Sequence, residues 1–239
     1  YGNVTRERIS ELERHLQAEG YINTDFQPRI MNLVFQEWFS MHGTTPHLLL
    51  LVLLGLTVVY LLFSRKEEYL LFSTGFVTMG VEMLVIFAFQ ILYGNVYLQI
   101  SGIITAFLLG LLPGALFGNL AGRRNTAGLV FSDFMLLCLL LVFFVWVSFF
   151  RVELPPYAFL AYCFVFSLFC GYQFPVATAL IGEEKSPAAG CLAADLMGAG
   201  VGTLVTGTLL IPLWGIRWAI ILLILVKVSS NIVILFVKM

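Results

Sequence analysis

The sequence predicts an all-α fold, a polytopic membrane bundle of seven transmembrane helices, and three features carry that expectation. Of 239 residues, 60% are hydrophobic and 11% charged, with a mean hydropathy of +0.95, whereas soluble globular chains carry about 25% charge. Charge is also segregated: ten of the twenty-seven charged residues fall in the first 38 positions. Finally, seven stretches stay apolar over the roughly 20 residues that a helix needs to cross about 30 Å of hydrocarbon. The chain therefore divides into an aqueous segment, 1–46, and a membrane domain, 47–239.

The aqueous segment carries its own helical pattern. In VTRERISELERHLQAEGY, Ile9, Leu12 and Leu16 share one face at i, i+3, i+7, and Gly20 is a suitable stop. A turn at 25–28 follows, then a second amphipathic stretch with Met31, Phe35, Trp38 and Phe39. Such faces need a partner, either a soluble domain or the membrane interface. The chain begins with Tyr1 and carries no signal peptide, so it is expected to be the C-terminal part of a longer polypeptide.

The spans are expected at about 47–64, 69–93, 96–120, 127–150, 156–181, 188–213 and 216–237. Connections of a few residues make consecutive helices antiparallel neighbours. Arg65, Lys66, Arg123, Arg124, Lys185 and Lys238 gather on one side, against Arg151 and Arg217 on the other. The positive-inside rule assigns the richer side to the cytoplasm. With seven spans, the N-terminal segment is then extracytoplasmic and the C-terminus cytoplasmic.

Small residues are placed with a period of four. Gly102, Ala106, Gly110, Gly114, Gly118 and Gly122 line one face of the third span; Gly190, Ala194, Gly198, Gly202 and Thr206 line one face of the sixth. These are packing grooves of the kind that lets membrane helices approach closely. The GxG inside GAGVGT follows no strand and is not a dinucleotide motif. The second and fifth spans also correspond, MGVEM (79–83) with CGYQF (170–174), which sets Gly80 against Gly171 and Glu82 against Gln173. Three helices per unit give an inverted repeat, with the first span added outside it.

Several exclusions follow. No basic patch interleaved with aromatics points to nucleic acid. Cys138, Cys163, Cys170 and Cys191 lie in apolar runs without metal or haem spacing, so no metal, disulfide or cofactor is expected.

The residues FSTGFVTMGVEMLVIFAFQILYGNVYLQISGIITAFLLGLLPGALFGN (72–119) and FPVATAL…AAGCLAADLMGAGVGTLVTGTLLIPLWGI (174–216) resemble the membrane portion of fused spermidine synthase-like proteins. These bacterial proteins join major-facilitator-like helices to a polyamine aminopropyltransferase-like domain. INTDFQPRIMNLVFQEW (22–38) is similar to the tail of that soluble domain, and GNLAGRRN to a cytoplasmic major-facilitator loop. The resemblance implies a bacterial inner-membrane location. The nucleoside-binding loop and acidic pair of such enzymes would lie upstream of Tyr1, so this chain alone is not expected to be an enzyme.

The candidate intramembrane polar site comprises Glu82, Gln90, Gln173, Asp195 and Lys227, with Gly110, Gly114, Gly118, Gly198 and Gly202 as the packing glycines. A charge near the bilayer centre costs at least about 2.5–3.5 kcal/mol, so each needs a partner. Glu82 is the expected counter-ion of Lys227, or else a protonatable or neutral carboxyl. Asp133, six residues into its span, is expected at the boundary. Asp195 is expected to hydrogen-bond across the glycine groove. His42 and His47 are read as interfacial, Trp38, Trp214 and Trp218 as an aromatic belt, and VFFVWVSFF (142–150) as lipid-facing. The favoured role is a membrane domain anchoring or scaffolding an extracytoplasmic domain or partner subunits. The alternatives are a dimerising half-transporter that moves a small cation such as a polyamine using Glu82 and Asp195, and the membrane part of an aminopropyltransferase.

Overall fold

A computed structural model describes residues 34, 37, 40, 41, 43, 46–94, 97–120, 126–150, 154–181 and 187–236. The expectations for the amphipathic segment and for the loops carrying Arg123, Arg124, Arg151, Lys185 and Lys238 lie outside them, as do His42 and the His47 side chain. Among the described residues the secondary structure is helical: α1 Pro46–Phe63, α2 Lys66–Tyr93, α3 Tyr97–Leu120, α4 Thr126–Val145, α5 Pro156–Ile181, α6 Pro187–Thr203, the single turn α7 Ile211–Trp214, and α8 Ile216–Phe236. Six helical stretches are long and apolar enough to cross a membrane: Lys66–Tyr93, Ile100–Leu120, Thr126–Phe149, Pro156–Ile181, Pro187–Trp214 and Ile216–Ile234. Their outward side chains (Leu108, Leu112 and Leu116 on α3, for example) are exposed and apolar, which fits acyl chains and not water.

The ends of these helices follow from local chemistry. Glu67 and Glu68 occupy the first turn of α2, where negative charge complements the helix dipole, and Glu68 Oε2 accepts a hydrogen bond from Arg65 N–H at 2.9 Å. Gly94, at φ 68°, closes the same helix by donating to the Gln90 carbonyl. Pro212 lacks an N–H and its ring crowds the carbonyl one turn back. The chain answers by widening into a π-helix over Leu204–Leu210 before α7. Gly215 alone, at φ 84°, then joins α7 to α8. A second π turn, Trp146–Phe150, ends α4.

The bundle has two layers. One is a row in the order α3, α5, α2, α6; α4 and α8 pack together over α5 and α2. Helix α2 is central, and every residue from Leu70 to Thr78 is buried, the pattern of a helix enclosed on all sides. Helix α1 stands outside this arrangement and meets α2 through Tyr60 against Phe72, ring centroids 6.0 Å apart. Away from the α2 N-terminus, Phe89, Tyr93, Phe143, Trp146, Phe159 and Tyr162 form a cluster of edge-to-face, tilted and stacked rings. The run 142–150 is therefore not uniformly lipid-facing. Phe143 and Val147 are buried while Phe149 is exposed, because one helix face of the run lies against α5.

Both small-residue grooves are filled by backbone. A Cβ built on Gly110, Gly114 or Gly118 of α3 would land on the carbonyls of Phe164, Leu168 or Tyr172 of α5. On α6, Gly198 and Gly202 receive the carbonyls of Phe72 and Phe76 of α2 in the same way. In lipid there is no hydrophobic drive between apolar helices, so this close packing is itself the cohesive term. Gly200, on α6, has nothing within 4 Å of its would-be Cβ. Gly114→Ala is expected to destabilise the detergent-solubilised chain by ~1–3 kcal/mol, as an overpacked site does, whereas Gly200→Ala leaves it unchanged or slightly more stable. Unfolding titrations of the two variants check this.

Candidate functional site

Four helices each send one side chain to a common point in the core. Lys227 (α8) places Nζ 2.5 Å from Asp133 Oδ1 (α4), with neither side chain exposed. Lys227 Nζ also donates to Thr74 Oγ1 (α2) at 2.8 Å. Gln173 (α5) closes the ring: its Nε2 donates to Asp133 Oδ1 at 3.1 Å, and its Oε1 faces the Thr74 hydroxyl at hydrogen-bonding distance. The single proton of Thr74 is shared between that oxygen and the Leu70 carbonyl, 2.9 Å away. All four residues are buried. Among the described residues, Asp133 Oδ2 has no hydrogen-bond partner.

The ring explains how an ammonium tolerates this depth. Its charge is cancelled by a contacting carboxylate, and the remaining polar atoms are largely satisfied by one another, as a buried network requires. Polar neighbours continue along α8, where Ser229 Oγ meets Tyr69 OH at 2.6 Å and Asn231 Nδ2 donates to the Lys227 carbonyl at 3.0 Å.

Two expectations are corrected here. Lys227 pairs with Asp133 and not with Glu82, which lies about 12 Å further along α2 than Thr74 and is half-buried. Asp133, expected as a boundary residue, is fully buried between the helices. Helix depth, counted from the end where α2 begins, carries the missed signal. At 1.5 Å per residue, Asp133 is about 10 Å in and Lys227 about 14 Å, with Thr74 and Gln173 at about 12 Å. Of the sequence-derived candidates, the structure brings Gln173 and Lys227 together. Gln90 is exposed near the far end of α2, and Trp214 and Trp218 are exposed near the α7–α8 junction.

Asp195 (α6) lies about 12 Å from the same end and is not in contact with the ring, although it shares a cavity with the ring's Thr74. Its backbone carbonyl and Oδ1 crowd Gly75 of α2, where a Cβ would collide with both. The expected hydrogen bond across the groove is absent: Asp195 makes none to any described residue. Asp195 instead lines a cavity of about 260 Å³ walled by α2, α3, α5 and α6. Thr74 and Thr78 also line it, as does Cys170. The Thr78 hydroxyl donates to the Thr74 carbonyl at 2.7 Å, leaving its oxygen to accept from Cys170 Sγ at 3.1 Å. The four cysteines are free thiols, and no group of metal-ligating side chains occurs among the described residues.

No family model, curated protein or solved structure matches the chain.

Removing one member of the buried pair leaves the other charge uncompensated, a loss of about 3–5 kcal/mol. Lys227→Met and Asp133→Asn are each expected to lose that much stability, and the double variant to recover most of it. A double-mutant cycle on unfolding in mixed micelles reads the coupling; additive losses contradict it.

Proposed function

We propose that this chain is the membrane anchor of a larger spermidine synthase-like protein, holding an extracytoplasmic soluble domain or partner subunits at the bacterial inner membrane. The observation that carries this is the buried ring of Thr74, Asp133, Gln173 and Lys227. Two of its members come from α2–α4 and two from α5–α8. Both glycine grooves also run between these units, α3 on α5 and α6 on α2. Sliding one unit against the other would break a buried ion pair and two backbone contacts at once, so the six helices behave as one stiff block. A stiff block suits an anchor; as a carrier it would have to move whole against a second copy.

The inverted repeat, resembling half a major facilitator, is supported by the same packing. Exchanging α2, α3 and α4 for α5, α6 and α8 turns α3–α5 into α6–α2 and α4–α5 into α8–α2. The pairs α4–α8 and α2–α5 map onto themselves, and all of these contacts occur. Helix α1 is then the added seventh span, its exposed Leu48, Leu51 and Leu62 offering apolar surface beside the block. This role makes the chain itself non-catalytic; catalysis of aminopropyl transfer would belong to the preceding domain.

Proteoliposomes holding the purified chain are expected to take up radiolabelled putrescine no faster than protein-free vesicles. A protease site placed at the N-terminus should be cut from outside in intact spheroplasts. Saturable uptake abolished by Glu82→Gln would replace the anchor with the carrier.

A further inference from the structure

We propose that the cavity between α2, α3, α5 and α6 binds a small organic monocation, a primary alkylammonium of roughly six to ten heavy atoms, with Asp195 as its counter-ion. Charge balance is the first argument. In the spans, the ammonium of Lys227 contacts Asp133 at 2.5 Å and reaches Asp195 only through space, so Asp195 has no cation in contact and the three charges together leave one negative charge unbalanced. Asp195 makes no hydrogen bond to any described residue, yet it sits at membrane depth, where a lone carboxylate is costly. A bound cation supplies what the fold withholds.

The cavity fixes the rest of the guest. Its volume of about 260 Å³ exceeds the roughly 150 Å³ that holds benzene in a protein core, so it has room for a guest larger than a metal ion or a single water. Beside Asp195, Thr74 and Thr78 line the same wall; each hydroxyl oxygen already accepts one donor, from Lys227 and Cys170 respectively, and keeps a second lone pair for an ammonium. Leu111, Met79 and Phe174 supply apolar wall for a hydrocarbon tail. One carboxylate among the lining residues selects a single positive charge. Thr74 belongs to the ring as well as to the cavity, so the guest rests against the element that ties the layers together. The site is independent of the anchoring role: binding without flux leaves both standing.

The test uses the full chain in lipid nanodiscs, with n-pentylammonium and 1-pentanol as probes and empty nanodiscs subtracted. Pentylammonium is expected to bind saturably and raise the unfolding temperature; pentanol, of equal length and uncharged, is expected to do neither. Asp195→Asn should weaken pentylammonium about tenfold or more, and Ala199→Leu, which fills the cavity, should block it. Equal behaviour of the two probes, no saturable binding, or unchanged binding in Asp195→Asn would each overturn the site. If the variants do not fold, the comparison of the two probes on the unaltered chain decides alone.

Discussion

An ammonium group deprived of water must touch an anion, and in this bundle that need is met between the two helices of the covering layer. Lys227 on α8 reaches Asp133 on α4, and Gln173 and Thr74 complete the shell from the layer beneath. The contact holds the covering pair of helices to the row below at a fixed depth. Such a pair is weak as a source of net stability, because desolvation offsets most of the attraction. Its effect is on register: sliding α4 or α8 by one turn strands a charge, and no neighbouring position offers a substitute.

The glycine grooves set the other constraint. Where Gly114 faces the Leu168 carbonyl and Gly202 faces that of Phe76, the helices approach to backbone contact, and the row α3, α5, α2, α6 becomes thin and dense. Dispersion and the exclusion of lipid then replace the hydrophobic drive that water supplies to soluble proteins. The same thinness leaves α4 and α8 room to lie over α5 and α2 and to bring their charged residues to the interface between layers.

The cavity follows from both. Crossing helices that touch at their grooves splay elsewhere, and the opening lies between α2, α3, α5 and α6, with Thr74 shared between it and the ring. Asp195 belongs to the grooved helix but points into that opening, because Gly75 clears the space where an α2 side chain would otherwise stand. One acid is thus paired by direct contact within the protein, and another lines a cavity with no cation in contact.

Apolar length was legible in the residue order alone, since burying a helical backbone in hydrocarbon is a local requirement. The expected span at 156–181 coincides with α5, and 69–93 and 96–120 differ from α2 and α3 by three residues or fewer. Period-four glycines likewise declared which faces of α3 and α6 pack, because helical geometry repeats at that spacing. The π-helical widening before Pro212 was not seen, although a proline inside an apolar run announces some local distortion. What the residue order left open was the partner of each polar group. Glu82 and Asp133 were both available to Lys227 by composition, and Asp195 was available to a groove that in fact offers no donor. Partner choice depends on which helices cross and at what depth, a property of the assembled layers, and that only the tertiary structure decided.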